Sequence, residues 1–346
     1  MTIRINARNR AHAFDAPVEQ AILYAGLGQG LTLPYECASG TCGTCKARLI
    51  SGEIQNHWPE APGRKLLKGA DEFLMCQCSA RGDVAVEVAA FVHEAAAGTF
   101  LPQALNATIA ATQMLTRDVA QLDVQLERPI EFDAGQFMLV RVPGVPGWRG
   151  WSMVNHARHA QTLRFVITGK PGGGLSEWLF SDPGQLRAGT AVEVFGPLGS
   201  ATFHPSLGKN IVCIAGGSGI AGMMAILSRA AQDGYFGAHN GDVFFGVRTL
   251  RDAFYLDEFT RLRQFCGERL RITIALSDEA AAANAAHPLL AFESGLVHEV
   301  AQRSMQGRLD GVRAYLAGPP PAVDASVRML LMARVSTANI RYDKFS

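Results

Sequence analysis

The amino-acid sequence predicts a multidomain protein with three folding units, in the order α+β, antiparallel β-barrel and α/β with a parallel sheet. The chain has 346 residues, enough for two or three domains. Its middle third consists of short strands separated by glycine and proline, which favours an antiparallel barrel. Its last third alternates apolar strands with helical segments, which is typical of a parallel sheet covered by helices.

The composition argues against several functional classes. Charged residues make up 18% and the net charge is +1, so no basic stripe indicates a nucleic-acid partner. No apolar run reaches the ~18 residues of a membrane span, and the N-terminus alternates like a strand rather than a signal peptide, so we expect no membrane partner. Seven cysteines, four of them crowded into one motif, fit a reducing compartment better than a disulfide framework does. We therefore expect a cytoplasmic protein.

The first predicted domain covers residues 1–92. Residues 2–6 alternate as a strand and residues 12–14 suggest its hairpin partner, with further strands at 46–50 and 84–88. Residues 17–25 have helical spacing, with Pro17 near the first turn. Residues 89–104 are rich in alanine and show no period, which indicates a linker, and we place its bounds at 93–105.

Four cysteines in this first domain have the spacing of a plant-type [2Fe–2S] site. Cys37, Cys42 and Cys45 form C-x4-C-x2-C, and Cys76 follows at a distance. Glycines 40 and 43 between them are expected to adopt positive φ and to leave backbone N–H groups free for the sulfurs. Structural zinc is the alternative, but zinc usually takes two C-x2-C pairs. Cys78, two residues after Cys76, is an alternative fourth ligand by position.

The second predicted domain, residues 106–205, contains two motifs suited to a flavin. Arg149, Trp151 and Ser152 place a cation, an aromatic ring and a hydroxyl on one strand, for a phosphate, the ring plane and the ring edge. A glycine-rich turn then leads into an apolar helix and offers N–H groups to a pyrophosphate; its members are Gly173, Gly174 and Ser176. Ordinary strand packing and a capped loop are the alternatives.

The third predicted domain, residues 206–346, contains two tight turns that each follow a strand. The first comes after the buried strand 211–215; it contains Gly216, Gly217, Ser218 and Gly219. This is not G-x-G-x-x-G, but a glycine-rich turn between a strand and a helix still cradles phosphates. The second, Gly318-Pro319, follows the strand 312–317. Turns at neighbouring carboxyl ends of parallel strands form the crevice in which open α/β sheets bind ligands.

Taken together in this order, the motifs resemble the reductase components of bacterial multicomponent aromatic and alkane oxygenases, in the ferredoxin–NADP reductase superfamily. The resemblance covers essentially the whole chain. Its motifs are the cysteine set, Arg149-Gly-Trp-Ser152, Gly173-Gly-Leu-Ser176, Gly216-Gly-Ser-Gly219, Tyr315-Leu-Ala-Gly-Pro-Pro-Pro321 and Tyr342-Asp-Lys-Phe345. Two positions depart from the family pattern: Gly222 stands where a proline is common, and Ala317 where a cysteine is common.

The resemblance implies a fold, cofactors and an electron path. It implies a β-grasp [2Fe–2S] ferredoxin domain, an FAD-binding β-barrel and an NAD-binding α/β domain. NADH would pass a hydride to FAD, and electrons would then move singly to the cluster and on to a separate oxygenase. By analogy Cys76 is the fourth ligand, Ser152 lies near the flavin ring edge, and Phe345 covers the ring until nicotinamide displaces it.

The coenzyme and the partners are less tightly defined by the sequence. Arg248 matches a position where NADH-using members also have arginine, and Asp252 offsets the charge of Arg251, so we expect NADH over NADPH. We expect a monomer. A desaturase or another acceptor, and a non-catalytic iron–sulfur redox sensor, are the alternatives. His57 and Trp58 lie in a loop rich in proline and glycine, with no second ligand at metal spacing, so no role is assigned to them. Four further residues are interpreted as packing: Cys213, Met223, Met224 and Cys266.

Overall fold

The structure, a computed structural model, describes residues 1–169, 180 and 188–344. Within these residues the strands form three large sheets and one two-stranded ribbon, distributed over the three units in chain order. Among the residues described, no helix combines the length and the apolar character needed to cross a membrane.

The N-terminal unit is a β-grasp fold, as expected. Its elements are β1 (Thr2–Ala7), β2 (Ala11–Asp15), α1 (Ile22–Gly28), β3 (Lys46–Ser51), β4 (Ile54–Asn56), β5 (Glu72–Leu74), β6 (Cys78–Ala80) and β7 (Val84–Val88). The sheet has the order β2-β1-β7-β3-β5, with β1 and β7 parallel. The helix begins at Ile22 rather than Pro17, because the N–H of Gln20 closes a turn on the Pro17 carbonyl and Glu19 has φ +65°.

The segment expected to be a linker is partly tied to this unit. Val92 is fully buried, and its backbone exchanges hydrogen bonds with the Asn9 side chain at 2.6 and 3.0 Å. The N–H of Ala95 donates to the Gly30 carbonyl at 2.6 Å. The next strand starts at Gln103. Only about residues 96–102 therefore lie between the two units, and the domain bounds given above stay predictions.

The middle unit is an antiparallel barrel, also as expected. Its strands are β8 (Gln103–Met114), β9 (Val119–Ile130), β10 (Phe137–Arg141), β11 (Arg149–Ser152), β12 (Ala160–Thr168) and β13 (Ala191–Leu198). They follow the order β11-β10-β13-β8-β9-β12, and a bridge between Met153 and Phe165 joins the two outer strands. Alternate residues of these strands fill the interior, and this alternation is what a barrel requires.

The C-terminal unit is the predicted α/β domain with a parallel sheet. Its strands are β14 (Ile211–Gly216), β15 (Gly241–Val247), β16 (Leu270–Leu276), β17 (Ala291–Ser294), β18 (Arg313–Gly318) and β19 (Ile340–Lys344), and its helices are α2 (Ile220–Gln232), α3 (Leu256–Cys266), α4 (Val297–Ser304) and α5 (Pro320–Met332). The sheet order is β17-β16-β15-β14-β18-β19. The order reverses between β14 and β18, so the ligand crevice of the sheet lies at their carboxyl ends.

The ferredoxin-like unit and the barrel share one hydrophobic core. Tyr24 on α1 packs its ring 4.6 Å from that of Phe195 on β13. Phe137, Leu139 and Leu198 of the barrel belong to the same buried cluster as the N-terminal unit. These barrel residues are at most 2% exposed, so the two units are fixed against each other by apolar contact.

Candidate functional site

The four predicted cluster ligands lie in two pairs at one end of the N-terminal unit. Cys45 and Cys76 have their sulfurs 3.2 Å apart, and the Cys42 thiol is hydrogen-bonded to the Cys37 sulfur. No group of three or more Cys, His, Asp or Glu among the described residues surrounds a single ion. Two pairs of thiols suit two irons with two thiolates each, so this donor set fits [2Fe–2S] better than zinc.

Backbone and side-chain N–H groups point at these sulfurs. The N–H groups of Ser39 and Cys42 each lie 3.4 Å from the Cys37 sulfur. The Cys42 thiol, and after it the Thr41 hydroxyl and these N–H groups, lower the pKa of Cys37 below its ordinary value, which favours the thiolate that binds iron. Gly40 and Gly43 have φ of +91° and +74°, as predicted, and this conformation shapes the loop.

Cys76 and Cys78 occupy different kinds of backbone. Cys76 lies in the turn between β5 and β6, where the Gln77 amide donates to its sulfur at 3.4 Å. Cys78 is the first residue of β6 and pairs with Asn56 across the ribbon. Because Cys76 is not on a strand, the two cysteines do not share a strand face, although they lie two residues apart. The 3.2 Å approach of Cys76 to Cys45 supports Cys76 as the ligand.

Arg149, predicted to bind a flavin phosphate, is a half-buried cation. Its Nη1 donates to the carbonyls of Pro146 at 3.3 Å and Trp148 at 3.0 Å. No carboxylate pairs with it among the described residues, and burial lowers the pKa of its guanidinium. A partly desolvated cation with unused N–H donors fits a phosphate, which would supply the missing charge.

Ser152 and Trp151 lie side by side on β11 but face different surroundings. A Cβ placed on Gly222 would lie 3.5 Å from the Ser152 Cβ and 3.7 Å from its hydroxyl oxygen. Ser152 therefore faces the first turn of α2, where the barrel and the α/β unit meet. Trp151 packs against the barrel core, with its ring 5.7 Å from that of Phe165. Its predicted place beside a flavin ring stays a prediction.

The two glycine turns of the α/β unit meet backbone to backbone at the switch point of the sheet. A Cβ on Gly219 would lie 2.6 Å from the carbonyl carbon of Ala317, and one on Gly318 would lie 2.9 Å from the Gly216 oxygen. At Gly217, φ is +53° and no atom lies within 4 Å of a Cβ position. This arrangement leaves an open cradle of backbone, with Ser218 in its turn and Pro319 beside Gly216, that fits a dinucleotide.

Arg248 lies at the edge of a cleft of about 640 Å³ beyond this cradle. Its Nη2 is 3.5 Å from the Asp118 carboxylate and its Nε is 3.8 Å from that of Asp252. Three arginines and three carboxylates line the cleft: Arg117, Arg248, Arg251, Asp252, Asp278 and Glu279. The positive and negative charges that line this cleft are therefore equal in number.

Part of the predicted site lies outside the described residues. These positions are Gly173, Gly174 and Ser176 of the glycine-rich turn, and Phe345 at the C-terminus. The roles given to them stay predictions.

Sequence reasoning missed residues whose importance depends on contacts between units. Trp58, to which no role was assigned, places its ring 5.3 Å from the Arg149 guanidinium. Tyr24 donates from its hydroxyl to the Ala38 carbonyl in the cluster loop at 2.8 Å. The Tyr35 hydroxyl accepts from the N–H of Gly199 in the barrel at 3.0 Å. An aromatic residue beside a cysteine loop was the only signal, and it gives no partner. Cys213, Met223 and Met224 are buried as expected.

Comparison with known families supports the three units independently. The 2Fe-2S iron-sulfur cluster binding domain family matches residues 5–81. The oxidoreductase FAD-binding domain family matches residues 106–203, and the oxidoreductase NAD-binding domain family matches residues 213–328. The predicted cofactors, [2Fe–2S], FAD and NAD, are therefore confirmed at the level of domains.

Similar proteins match the chain over nearly its whole length. A ferredoxin–NAD(P)+ reductase, CarAd, of Metapseudomonas resinovorans is 32% identical over 94% of both chains. The ferredoxin–NAD+ reductase component of the alkene monooxygenase system of Xanthobacter autotrophicus is 32% identical, covering 97% of this chain and 99% of the relative. The solved structure of the ferredoxin reductase in carbazole 1,9a-dioxygenase has a TM-score of 0.82 at 30% identity, covering 100% and 99%. The chain is therefore an oxidoreductase that belongs to the family of reductase components of bacterial multicomponent oxygenases.

Proposed function

We propose that this reductase takes electrons from NADH and delivers them, through its own FAD and [2Fe–2S] sites, to a separate oxygenase component. One observation carries the proposal: the sites of the three domains adjoin in the order that electrons need. The glycine cradle leads into α2, whose first turn faces Ser152 of the barrel. Tyr24 joins Phe195 of the barrel to the cluster loop.

Each site has residues suited to holding its group. Gly216, Gly217, Ser218 and Gly219, together with Gly318 and Pro319, would bind the nicotinamide dinucleotide through backbone N–H groups. Arg149 would pair with an FAD phosphate, and Ser152 would donate or accept at the flavin ring edge. Cys37, Cys42, Cys45 and Cys76 would hold the irons. When bound, FAD supplies the exchange between a two-electron hydride donor and a one-electron iron–sulfur acceptor.

The charge balance around Arg248 supports NADH over NADPH. A 2′-phosphate needs cations that are free to pair with it. Here Asp118 and Asp252 lie within 3.8 Å of Arg248, and Arg117 is 3.7 Å from Asp252. We expect kcat/KM to favour NADH. A tenfold preference for NADPH, about 1.4 kcal/mol in transition-state binding, would overturn this and identify Arg248 and Arg251 as a phosphate clamp.

The surface beside the cluster loop supports an acidic electron acceptor. Leu66 is 47% exposed and lies against Gly43 of the cluster loop. Arg64, Lys65 and Lys68 flank it in the sequence, are exposed, and form no ion pair within the described residues. An apolar contact ringed by free cations fits a partner with carboxylates around an apolar centre, because complementary charge steers association.

If this surface binds the acceptor, changing its charge should alter the rate of acceptor reduction but not the reduction of the flavin by NADH. The double variant Lys65→Glu with Lys68→Glu should slow reduction of an acidic haem protein such as cytochrome b5 severalfold at low salt, and less at high salt. NADH–ferricyanide turnover, which the flavin supports, should stay unchanged. If the double variant and the wild type reduced cytochrome b5 at equal rates at low salt, this surface would not be the acceptor site.

We propose that the protein is cytoplasmic and monomeric. All seven cysteines are free in the described structure, which suits the reducing cytoplasm. We also propose that the protein acts as a monomer, because the three sites adjoin within one chain.

Anaerobic titration with NADH tests the electron path. The purified protein should contain FAD and two irons, and NADH should bleach both the flavin and the cluster absorbance. Colour that NADH leaves unchanged would instead favour the iron–sulfur sensor.

The identity of the acceptor is tested by adding purified oxygenase components and measuring product formed per NADH consumed.

A further inference from the structure

Trp58 brings the ferredoxin domain into contact with the cation of the proposed flavin site. It lies in the loop after β4, and the centre of its ring is 5.3 Å from the Arg149 guanidinium carbon. A Cβ on Gly147 would lie 2.9 Å from this ring, so the barrel backbone also closes against it. Two domains therefore surround one guanidinium.

The contact leaves most of the donors of Arg149 available. Arginine has five N–H donors in a planar fork. Two carbonyls, those of Pro146 and Trp148, accept from Nη1, and no other acceptor among the described residues takes Nε or Nη2. An aromatic ring over the guanidinium restricts its orientation without using any N–H group. The N–H groups on Nε and Nη2 of Arg149 can then donate to a bound anion.

The loop that carries Trp58 is anchored to the segment that follows the fourth cluster ligand. The N–H of His57 donates to the Gln77 carbonyl at 2.9 Å, and the His57 ring is 2.8 Å from the Ser79 hydroxyl. The N–H of Trp58 donates to the Asn56 side chain at 3.0 Å. The backbone of the loop that carries the indole is therefore held by the ferredoxin domain.

We propose that Trp58 is a positioning residue of the flavin phosphate site, supplied by the ferredoxin domain. It orients Arg149 so that the free N–H groups of the guanidinium meet a phosphate of FAD. Flavin binding and docking of the ferredoxin domain therefore support each other, as thermodynamic linkage requires. This inference rests on the proposed flavin site at Arg149.

A double-mutant cycle on FAD affinity tests the inference. FAD is removed and its Kd is measured by flavin fluorescence for the wild type, Trp58→Ala, Arg149→Ala and the double variant. Trp58→Ala should raise Kd about three- to thirtyfold, the range for a cation–π contact between exposed and desolvated sites. In the Arg149→Ala background the same change should alter Kd less than twofold.

Matched variants separate this effect from general damage. Trp58→Phe keeps a weaker ring contact and should give an intermediate Kd, while its cluster absorbance and iron content stay at wild-type levels. Phe91→Ala removes another aromatic of the same domain, 63% exposed, and should leave Kd within twofold. An unchanged or lower Kd in Trp58→Ala, or an equal loss in both backgrounds, would overturn the inference alone. A wild type that binds no FAD, or an Arg149→Ala variant with full affinity, would overturn the proposed site as well.

Discussion

Tyr24 shows how one side chain serves two domains. Its hydroxyl donates to the cluster loop at Ala38, and its ring lies 4.6 Å from Phe195 and 6.0 Å from Trp148 of the barrel. Burial, and after it the nearby thiols Cys76 and Cys45, raise the pKa of Tyr24 well above its ordinary value. The raised pKa favours the protonated phenol, which is the form that donates to the cluster loop.

The choice between Cys76 and Cys78 is the sharpest test at the scale of single residues. Cys76→Ser should lose the cluster, because its sulfur is the one beside Cys45. Cys78→Ser should retain it, because Cys78 begins β6 and is only 1% exposed as a small core residue. Visible absorbance and iron content measure both. Retention of two irons in Cys76→Ser together with their loss in Cys78→Ser would reverse the assignment.

At the scale of elements, the close approach of β14 and β18 depends on glycine. A methyl group at Gly219 would lie 2.6 Å from backbone atoms of Ala317 and Gly318, which cannot rotate away as a side chain can. Gly219→Ala should therefore push the two turns apart and raise KM for NADH about tenfold or more, with FAD and iron content unchanged. Gly237→Ala is the control, since no atom lies within 4 Å of its Cβ position. Equal KM values in both variants would argue against a dinucleotide site here.

Elements defined by local pattern were predictable, and contacts between elements were not. The apolar run of β14 and the glycines after it predicted a strand and a tight turn because both signals lie within a few residues. The helix predicted from Pro17 begins at Ile22, since turn bonding at Gln20 competes with the helical pattern. No role could be assigned to Trp58 because its partner, Arg149, is 91 positions away along the chain. The spacing of the cysteines in the sequence predicted the cluster ligands. Which cysteines lie together as pairs could be seen only in the fold.

At the scale of the whole molecule, the hydrophobic core shared by the ferredoxin domain and the barrel predicts what happens when the ferredoxin domain is removed. A fragment from Gln103 to Ser346 keeps β8 whole. It should bind FAD and reduce ferricyanide with NADH, but it should fail to reduce cytochrome c efficiently because the one-electron iron–sulfur site is gone. Without the ferredoxin domain, the fragment exposes three apolar barrel residues to solvent: Phe137, Leu139 and Phe195. The Tm of the fragment should therefore fall below that of the full chain. Without Trp58, its FAD Kd should match that of the full-length Trp58→Ala variant. Efficient reduction of cytochrome c by the fragment would contradict the electron path.

All three domains meet at Asp343, near the end of β19. A Cβ on Gly199 of the barrel would lie 3.7 Å from its carboxylate, and the Tyr35 hydroxyl accepts from the Gly199 N–H. Burial, and after it the charge of Glu36, raise the pKa of Asp343 from its ordinary value of 3.8 to about 7. The folded protein therefore holds a proton at this junction that the unfolded chain releases near pH 4.

This proton makes stability fall as pH rises between about 4 and 7, and level off above the folded pKa. Asp343→Asn carries no charge, so it should match the wild type near pH 4 and exceed it at pH 8. Because Asp343 keeps part of its exposure to solvent, we expect a gain of about 1–2 kcal/mol rather than the ~4 kcal/mol of a fully dry site. Thermal unfolding from pH 4.5 to 8.5 measures the difference, with Asp310→Asn, an exposed carboxylate of the same domain, as control. A Tm difference that stays constant with pH would show that the Asp343 carboxylate is charged and solvated at the junction.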